Sequence, residues 1–368
     1  MRPEPVLRRA PLPERPEIHQ IVLPTPWDVG PVQVYLIDAD PLTLVDTGVR
    51  NPESHAALAA ALEELGYGFE DLQRVLLTHF HGDHLGQAET LRRAAPGLEV
   101  WCHEDEAEMC EHFSAERDEN VEGTDRLFRD FGVPEALRAR QRAERERWVT
   151  QDPLCDATRI DRRLRGGDAV PFKGFSLQVI HAPGHTPGHC LYHEPDTGAL
   201  LTGDHLMGNA VPYTDNFLLE GAPDPHDALR RPPRFKGLPL YLAGLRALRR
   251  QRFRMLLPAH GGVLEHPGRA IDEAMLFYQV RIQRIERALR GAAAARGWAT
   301  AWEIWEQLFP KADPVTQMRT RMYMVIGALD LLEAQGNVEA RWGAAGALEH
   351  RPVAAPPGSA RAGEQVNG

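Results

Sequence analysis

The sequence predicts a mixed α/β fold with an all-helical end, and three observations support this prediction. Short apolar runs that are typical of strands alternate with amphipathic helices between residue 17 and His260. Beyond His260, apolar residues recur every three or four positions, which indicates helices with one buried face. The 368 residues are 43% hydrophobic and 26% charged, so the chain is large and apolar enough to bury a core without disulfides.

Charge and cysteine content narrow the class of protein. The net charge of −10, from 42 basic and 52 acidic residues, disfavours a protein whose whole surface binds nucleic acid or an anionic membrane. The four cysteines are widely spaced, which indicates free thiols in a reducing compartment. No apolar run approaches the roughly 20 residues of a membrane span, and none follows the basic N-terminus as in a signal peptide. We therefore expect a cytoplasmic protein.

The first part of the chain alternates strands and helices up to residue 102. Val32, Val34 and Leu36 show the period-two pattern of a strand. Asn51 and Pro52 are a typical N-cap and first-turn pair. The expected strands are 17–23, 31–38, 42–46, 74–78 and 98–102, with one helix after Asn51 and another ending near Ala94.

Residues 103–165 are charge-dense and helical in character, and we expect them to form an insert. Phe128 and Phe131 are expected to hold a small core within this insert. The expected elements after the insert are strands 174–181, 189–194, 199–202 and 255–258, with a long loop at 205–235 and a helix at 239–251.

The sequence of the C-terminal part predicts helices that each have one buried face. An apolar stripe runs from Ile271 to Leu289 with spacings of 4, 3, 4, 3 and 4 residues, which suits packing against another helix of the chain or of a second subunit. Two further helices, a strand from Val338 to Trp342 and a Pro/Ala/Gly-rich tail follow. The tail offers little to bury and is expected to be disordered.

The strongest functional signal is a cluster of potential metal ligands. Residues 79–84 read His-Phe-His-Gly-Asp-His, with four potential ligands in six positions. Three further candidates follow predicted strands, in the segments HAPGHTPGH, LLTGDH and LLPAHGG; they are His185, Asp204 and His260. Imidazoles and carboxylates of this kind suit Zn²⁺ and tolerate Fe or Mn.

These motifs, in this order, resemble those of the metallo-β-lactamase-fold hydrolase superfamily. The resemblance rests on H-x-H-x-D-H, P-G-H-T, G-D and P-x-H-G, with V-D-T-G upstream, and covers about residues 17–262. It implies an αββα sandwich with two metal ions at one edge. It further implies that one metal is held by His79, His81 and His185, the other by Asp83, His84 and His260, that Asp204 bridges them, and that Asp46 supports the ligands.

The resemblance also implies a reaction. Two Zn²⁺ ions, with Fe or Mn as alternatives, share a water and lower its pKa, so that a bridging hydroxide attacks a carbonyl or phosphorus. Asp83 would orient this hydroxide and is the candidate catalytic residue. The favoured substrate is a small ester, thioester or lactone-like molecule. Met207 stands where lactonases carry a tyrosine, which weakens the lactone case, and Tyr213 is expected to pack its loop.

A second resemblance concerns residues 298–345, which are similar to the winged-helix modules behind some hydrolases of this superfamily, including ribonuclease-like ones. The alternative function is therefore a metal-dependent ribonuclease or phosphodiesterase. Nine basic and seven acidic residues between 281 and 345 are too balanced for a surface that reads nucleic acid. We expect the module to act as a lid or to form a homodimer before it binds nucleic acid.

The predicted organisation has three parts. Residues 1–264 form the hydrolase domain, with the helical insert 103–165 over the site because connections at ligand-bearing strand ends lie near the site. Residues 265–345 form the helical, winged-helix-like module, and 346–368 a disordered tail. The sequence leaves open the roles of His181, His189, His205 and Tyr213.

Overall fold

The computed structural model describes residues 6–8, 17–150 and 154–353, apart from the side chains of residues 6, 8, 114–120 and 146–150. The strands are β1 (Val6–Arg8), β2 (Ile18–Leu23), β3 (Val32–Ile37), β4 (Thr43–Val45), β5 (Arg74–Leu76), β6 (Glu99–His103), β7 (Arg162–Leu164), β8 (Ala169–Phe172), β9 (Phe175–His181), β10 (Cys190–Glu194), β11 (Ala199–Gly203), β12 (Asn216–Leu218), β13 (Arg234–Lys236), β14 (Met255–Pro258), β15 (Ala299–Thr300), β16 (Val338–Trp342) and β17 (Leu348–Pro352). The helices are α1 (Pro52–Glu64), α2 (Gly82–Leu85), α3 (Ala88–Ala94), α4 (Glu104–Glu111), α5 (Phe113–Asp130), α6 (Glu135–Thr150), α7 (Gly237–Arg249), α8 (Pro267–Ala293), α9 (Ala301–Leu308) and α10 (Met318–Ala334).

Two large sheets form the centre of the molecule. One has the order β1-β2-β3-β4-β5-β6-β7 and the other β14-β11-β10-β9-β8. Ile37 of the first sheet and Tyr192 of the second belong to one buried cluster, which lies between the sheets. The outer face of the first sheet packs on α1 and α3, and that of the second packs on α7 and α8. The predicted αββα sandwich is confirmed.

The helix expected after the metal motif is divided into α2 and α3. Gly86 lies at the division, where a Cβ atom would stand 2.5 Å from the carbonyl oxygen of Gly48. The amide of Gln87 donates to the hydroxyl of Thr47 at 3.0 Å instead of continuing the helix. The chain is therefore interrupted where it passes the loop between β4 and α1. Seven strands are additional to those that the sequence predicts: β1, β7, β8, β12, β13, β15 and β17. The segment 205–235 is therefore not a loop throughout, because β12 pairs with β13 in a two-stranded antiparallel sheet.

The C-terminal helices share a core with the second sheet. Leu200 of β11 and Leu256 of β14 lie in the same buried cluster as Ile285 of α8 and Ile326 of α10. The α8 stripe is thus covered within one chain. Strands β15, β17 and β16 form a small antiparallel sheet beside these helices. This element order is compatible with a winged helix, which stays a prediction.

Two sequence predictions are wrong in this region. A disordered tail does not begin at residue 346, since Leu348–Pro352 forms β17. This strand is ordered because Leu348 and His350 are buried against the helices. Residues 354–368 lie outside the described part of the chain. Phe128 and Phe131 do not hold a separate insert core. They belong to the cluster shared with the C-terminal helices, and the Phe128 ring centroid lies 6.1 Å from that of Tyr323.

Among the described residues, no helix is both long enough and apolar enough to cross a membrane.

Candidate metal centre

The predicted ligands come from four loops, each of which follows a strand of the sandwich. Residues 79–84 follow β5, His185 follows β9, Asp204 follows β11 and His260 follows β14. The structure brings all seven together in three groups of nearby ligand atoms: one of His79, His81 and His185, one of Asp83, His84 and His260, and one of His79, His84 and Asp204 that shares a residue with each of the other two. All four loops therefore meet at one edge of the sandwich.

The first set consists of three imidazoles. His81 Nδ1 lies 2.9 Å from His79 Nε2 and 3.0 Å from His185 Nε2. The Nδ1 atom of His185 donates to the carbonyl oxygen of Tyr213 at 2.8 Å. A carbonyl can only accept a hydrogen bond, so the neutral His185 ring carries its lone pair on Nε2, facing the other two rings. The three nitrogens are oriented as a cation requires.

The second set contains Asp83, His84 and His260. His260 Nε2 lies 3.1 Å from Asp83 Oδ2, and His84 Nε2 lies 3.7 Å from Asp83 Oδ1. His260 Nδ1 donates to the carbonyl oxygen of Pro31 at 3.0 Å, so that Nε2 is the atom turned towards Asp83. Burial lowers the pKa of His260, but the charges of Asp204 and Asp83 raise it by more, and a bound cation would take the place of the Nε2 proton.

Asp204 lies between the two sets. Its Oδ2 atom is 3.5 Å from His185 Nε2, whereas its Oδ1 atom is 3.5 Å from His84 Nε2 and 3.6 Å from His260 Nε2. Asp204 Oδ1 and His84 Nε2 are buried, and neither has a hydrogen-bond partner among the described residues. Unsatisfied buried polar atoms are costly, and a cation would satisfy both. The residues present therefore fit a metal centre.

Asp46 binds the ring of the predicted ligand His84 on the side that faces away from Asp204. Its Oδ2 atom accepts a hydrogen bond from His84 Nδ1 at 2.8 Å, and its Oδ1 atom accepts one from the Thr78 amide at 2.7 Å. Asp46 has a φ of 59°, a left-handed conformation that is uncommon outside glycine. With Nδ1 bound to Asp46, the other ring nitrogen of His84, Nε2, faces Asp204.

Burial and charge set the protonation of this centre. Burial lowers the pKa of the His79 and His81 imidazoles, and neighbouring imidazoles lower it further. Burial also lowers the pKa of His84, but the carboxylates of Asp46 and Asp83 raise it by more, so that its pKa lies well above the ordinary value. A bound cation would replace the proton of His84, because a metal-binding imidazole must be neutral.

Glu106, which the sequence analysis did not identify, joins two of the ligand loops. Its Oε2 atom accepts a hydrogen bond from the Phe80 amide at 2.9 Å, and its Oε1 atom accepts one from the Gly188 amide at 2.6 Å. A Cβ atom at position 188 would stand 2.7 Å from Glu106 Cγ. Burial raises the pKa of Glu106 to about 8. No sequence signal indicates this role, because Glu106 stands in a charge-dense helix.

Three histidines whose roles the sequence does not determine take different positions. His189 Nε2 accepts a hydrogen bond from the backbone amide of Asp204 at 3.1 Å, and so helps to fix the position of Asp204. His181 Nε2 donates to the carbonyl oxygen of Pro187 at 2.9 Å. His205 is buried against the ring of Tyr241, 4.7 Å away between centroids. Neither His181 nor His205 belongs to the two ligand sets.

Tyr213, whose role is equally open from the sequence, contacts the centre with both its backbone and its side chain. Its carbonyl oxygen accepts a hydrogen bond from His185 Nδ1, and its hydroxyl oxygen lies 3.3 Å from His81 Nε2. Burial raises the pKa of the phenol, so that it is neutral at physiological pH. If His81 binds metal through Nδ1, its Nε2 proton points to the Tyr213 oxygen and the phenolic proton stays free to be donated.

The sequence profile of the metallo-beta-lactamase superfamily matches residues 27–260, which include every predicted ligand. The chain belongs to this superfamily. It is similar to the probable metallo-hydrolase YqjP of Bacillus subtilis, with 27% identity over 328 residues that cover 89% of this chain and 95% of that protein. The comparison supports a metal-dependent hydrolase.

Two further relatives extend the comparison. The crystal structure of a metallo-beta-lactamase family protein from Thermus thermophilus matches with a TM-score of 0.70 and 26% identity, covering 92% of this chain and 99% of that chain. The hydroxyacylglutathione hydrolase GloC of Haemophilus influenzae is 29% identical over 159 residues, or 43% of this chain and 59% of that protein. The Thermus match covers most of this chain, whereas the GloC match covers less than half of it.

Proposed function

We propose that this metal-dependent hydrolase is dinuclear and cleaves a small thioester, within the wider class of small esters, thioesters and lactone-like substrates. The observation that carries the dinuclear part is the position of Asp204, whose two oxygens face different ligand sets. In this proposal His79, His81 and His185 hold one metal, and Asp83, His84 and His260 hold the other. Zinc is the expected metal, with Fe or Mn as alternatives.

When bound, two such ions activate a water at neutral pH and polarise the carbonyl of the substrate. The protein's own groups set the geometry around them. Asp83 is placed at the second set, where its carboxylate can orient the attacking water and accept its proton. Tyr213, neutral and in contact with His81, is placed to donate its phenolic proton to an oxygen of the substrate.

The thioester class is supported by the relatives named hydroxyacylglutathione hydrolases, because that name describes cleavage of an acyl–sulfur bond. A thioester carbonyl suits a centre of this kind, since it needs an activated water and polarisation but no protein nucleophile. The ribonuclease alternative requires a phosphodiester at the same centre and a module that binds RNA.

The test compares an acyl-thioester panel with a single-stranded RNA on zinc-loaded protein. We expect thioester hydrolysis that a chelator abolishes and that Asp204→Asn lowers at least about 100-fold, because the bridging charge is lost. Glu64→Gln, an exposed carboxylate on α1, is the matched control and should leave the rate unchanged. Metal-dependent cleavage of RNA without thioester hydrolysis would overturn the proposal in favour of the ribonuclease alternative.

A further inference from the structure

A cavity of about 220 Å³ lies beside the metal centre, between the loop that carries Tyr213 and helices α8, α9 and α10. For comparison, an apolar cavity of about 150 Å³ accommodates benzene. Part of its wall is apolar and includes Phe277, Phe309 and Met324. The cavity therefore has room for a compact chemical group and a surface that favours an apolar stem.

The rest of the wall is strongly cationic. Arg281 and Arg284 come from α8, and Arg321 comes from α10. The guanidinium of Arg281 stacks over the ring of Phe277, and that of Arg321 lies over the ring of Phe309 at 5.1 Å from its centroid. These contacts hold two guanidinium groups at the wall before any ligand binds.

Within the described part of the chain, no carboxylate pairs with these arginines. Arg281, Arg284 and Arg321 form no ion pair with any side chain that the structure describes, whereas Arg290 on the same helix pairs with Glu286 at 2.9 Å. Burial lowers the pKa of Arg281, and the charge of Arg284 lowers it further. An anion in the cavity would relieve this repulsion and could accept bidentate hydrogen bonds from the guanidinium groups.

One residue connects the cavity to the metal centre. Tyr213 lines the cavity, and its hydroxyl lies 3.3 Å from His81 Nε2. A substrate that extends past Tyr213 would thus place one end among the arginines and the other at the ligands. No other described residue is both a cavity-lining residue and a hydrogen-bond partner of the imidazoles at the metal centre.

We propose that this cavity binds an anionic arm of the substrate, a carboxylate or phosphate on a short apolar stem, and so selects thioesters whose thiol or acyl part is negatively charged. The proposal rests on the thioester function proposed above and adds the charge of the substrate to it. The arginines recognise the arm, and the metal ligands hold the scissile end.

The experiment measures binding of three uncleavable thioethers to zinc-loaded protein by calorimetry. S-hexylglutathione carries carboxylates, S-hexyl-coenzyme A carries phosphates, and S-hexyl-N-acetylcysteamine is uncharged. We expect at least one charged thioether to bind about tenfold or more tightly than the neutral one, since hydrogen bonds between charged groups are the strong ones. The charged thioether that binds more tightly shows whether the cavity prefers a carboxylate or a phosphate.

Variants assign the effect to the cavity. Arg281→Gln combined with Arg321→Gln should weaken the charged thioether about tenfold or more and leave the neutral one within about twofold. Arg287→Gln is the matched control, because Arg287 is exposed on α8 and does not line the cavity. Thermal unfolding of each variant checks that it is folded.

The outcomes separate this proposal from the function on which it rests. Equal binding of charged and neutral thioethers, or equal losses of both in the double variant, would overturn the anionic-arm proposal even if thioesters are hydrolysed. Arginine-dependent binding of a charged thioether, without hydrolysis of any thioester, would support the cavity assignment and overturn the thioester function.

Discussion

Asp204 is the residue on which the dinuclear interpretation depends, because its carboxylate faces both ligand sets. Replacing it with alanine should weaken the retention of both metals and abolish activity. Replacing Asp83 with alanine should reduce the rate sharply but spare the metal held by His79, His81 and His185. Elemental analysis after dialysis measures both effects. Equal loss of both metals from the Asp83 variant would contradict the separate roles.

Glu106 is expected to act on the metal through the loops that it joins. Glu106→Ala leaves the amides of Phe80 and Gly188 without their acceptor, and we expect zinc affinity to fall about 10- to 100-fold, as for other groups that orient ligands. Glu106→Gln keeps one acceptor oxygen but turns an NH2 group towards the other amide, so its zinc affinity should lie between those of Glu106→Ala and the unmodified protein. The measurement is a competition titration with a zinc chelator.

Glu108→Ala provides the control for Glu106, because Glu108 is exposed on the same helix. Its zinc affinity should equal that of the unmodified protein. If Glu106→Ala binds zinc as tightly as Glu108→Ala does, Glu106 has no part in positioning the ligands.

The sequence predicts the candidate ligands but not all of the residues that position them. The ligands stand in short motifs, so that their spacing is visible along the chain. Glu106 becomes recognisable only when α4 packs between the loops at 79–84 and 185–189, which are distant from it in sequence. The role of His189 is hidden for the same reason, since its partner is the backbone amide of Asp204.

Among the helices, α5 is the one whose packing differs most from expectation. Phe128 is fully buried and contacts Tyr323 of α10. Phe128→Ala should therefore cost about 3–5 kcal/mol of the free energy of unfolding, as is typical of buried phenylalanines. Urea denaturation measures this cost. Leu219→Ala, at a side chain that is 47% exposed, should change it by less than about 0.5 kcal/mol, and equal effects would refute the packing described.

The helical character of this insert can be recognised from its composition, but its partner cannot. An apolar pair such as Phe128 and Phe131 shows that a helix has a buried face without showing what covers that face. Strand β7 escapes prediction because two of its three residues are exposed arginines. Strand β17 is not predicted from the sequence because it lies in a segment whose composition is typical of a disordered tail.

For the whole molecule, the shared core means that the C-terminal helices are part of the folded unit. A chain that ends at residue 297 would lose Ile304, Met322 and Ile326 from the cluster that covers the second sheet. We expect a lower urea midpoint and exposure of apolar surface, compared with a chain that ends at residue 353. An unchanged midpoint would show that the helices form an independent module, as the predicted boundary at 264 implies.

The homodimer and the winged-helix character of the C-terminal module stay predictions. The α8 stripe that suggested a partner subunit is covered by α9 and α10 within one chain, because Ile285 and Leu289 lie in their cluster. Sequence periodicity shows that this face is buried but cannot distinguish an intrachain partner from a second copy.

A zinc titration of metal-free protein tests whether two metal ions at this edge perform the hydrolysis. Thioester hydrolysis is followed while zinc is added in fractions of an equivalent per chain. The two ligand sets joined by Asp204 predict no activity without metal and a plateau at two equivalents. A plateau at one equivalent would show that one metal ion is sufficient, and full activity in the metal-free protein would show that none is required.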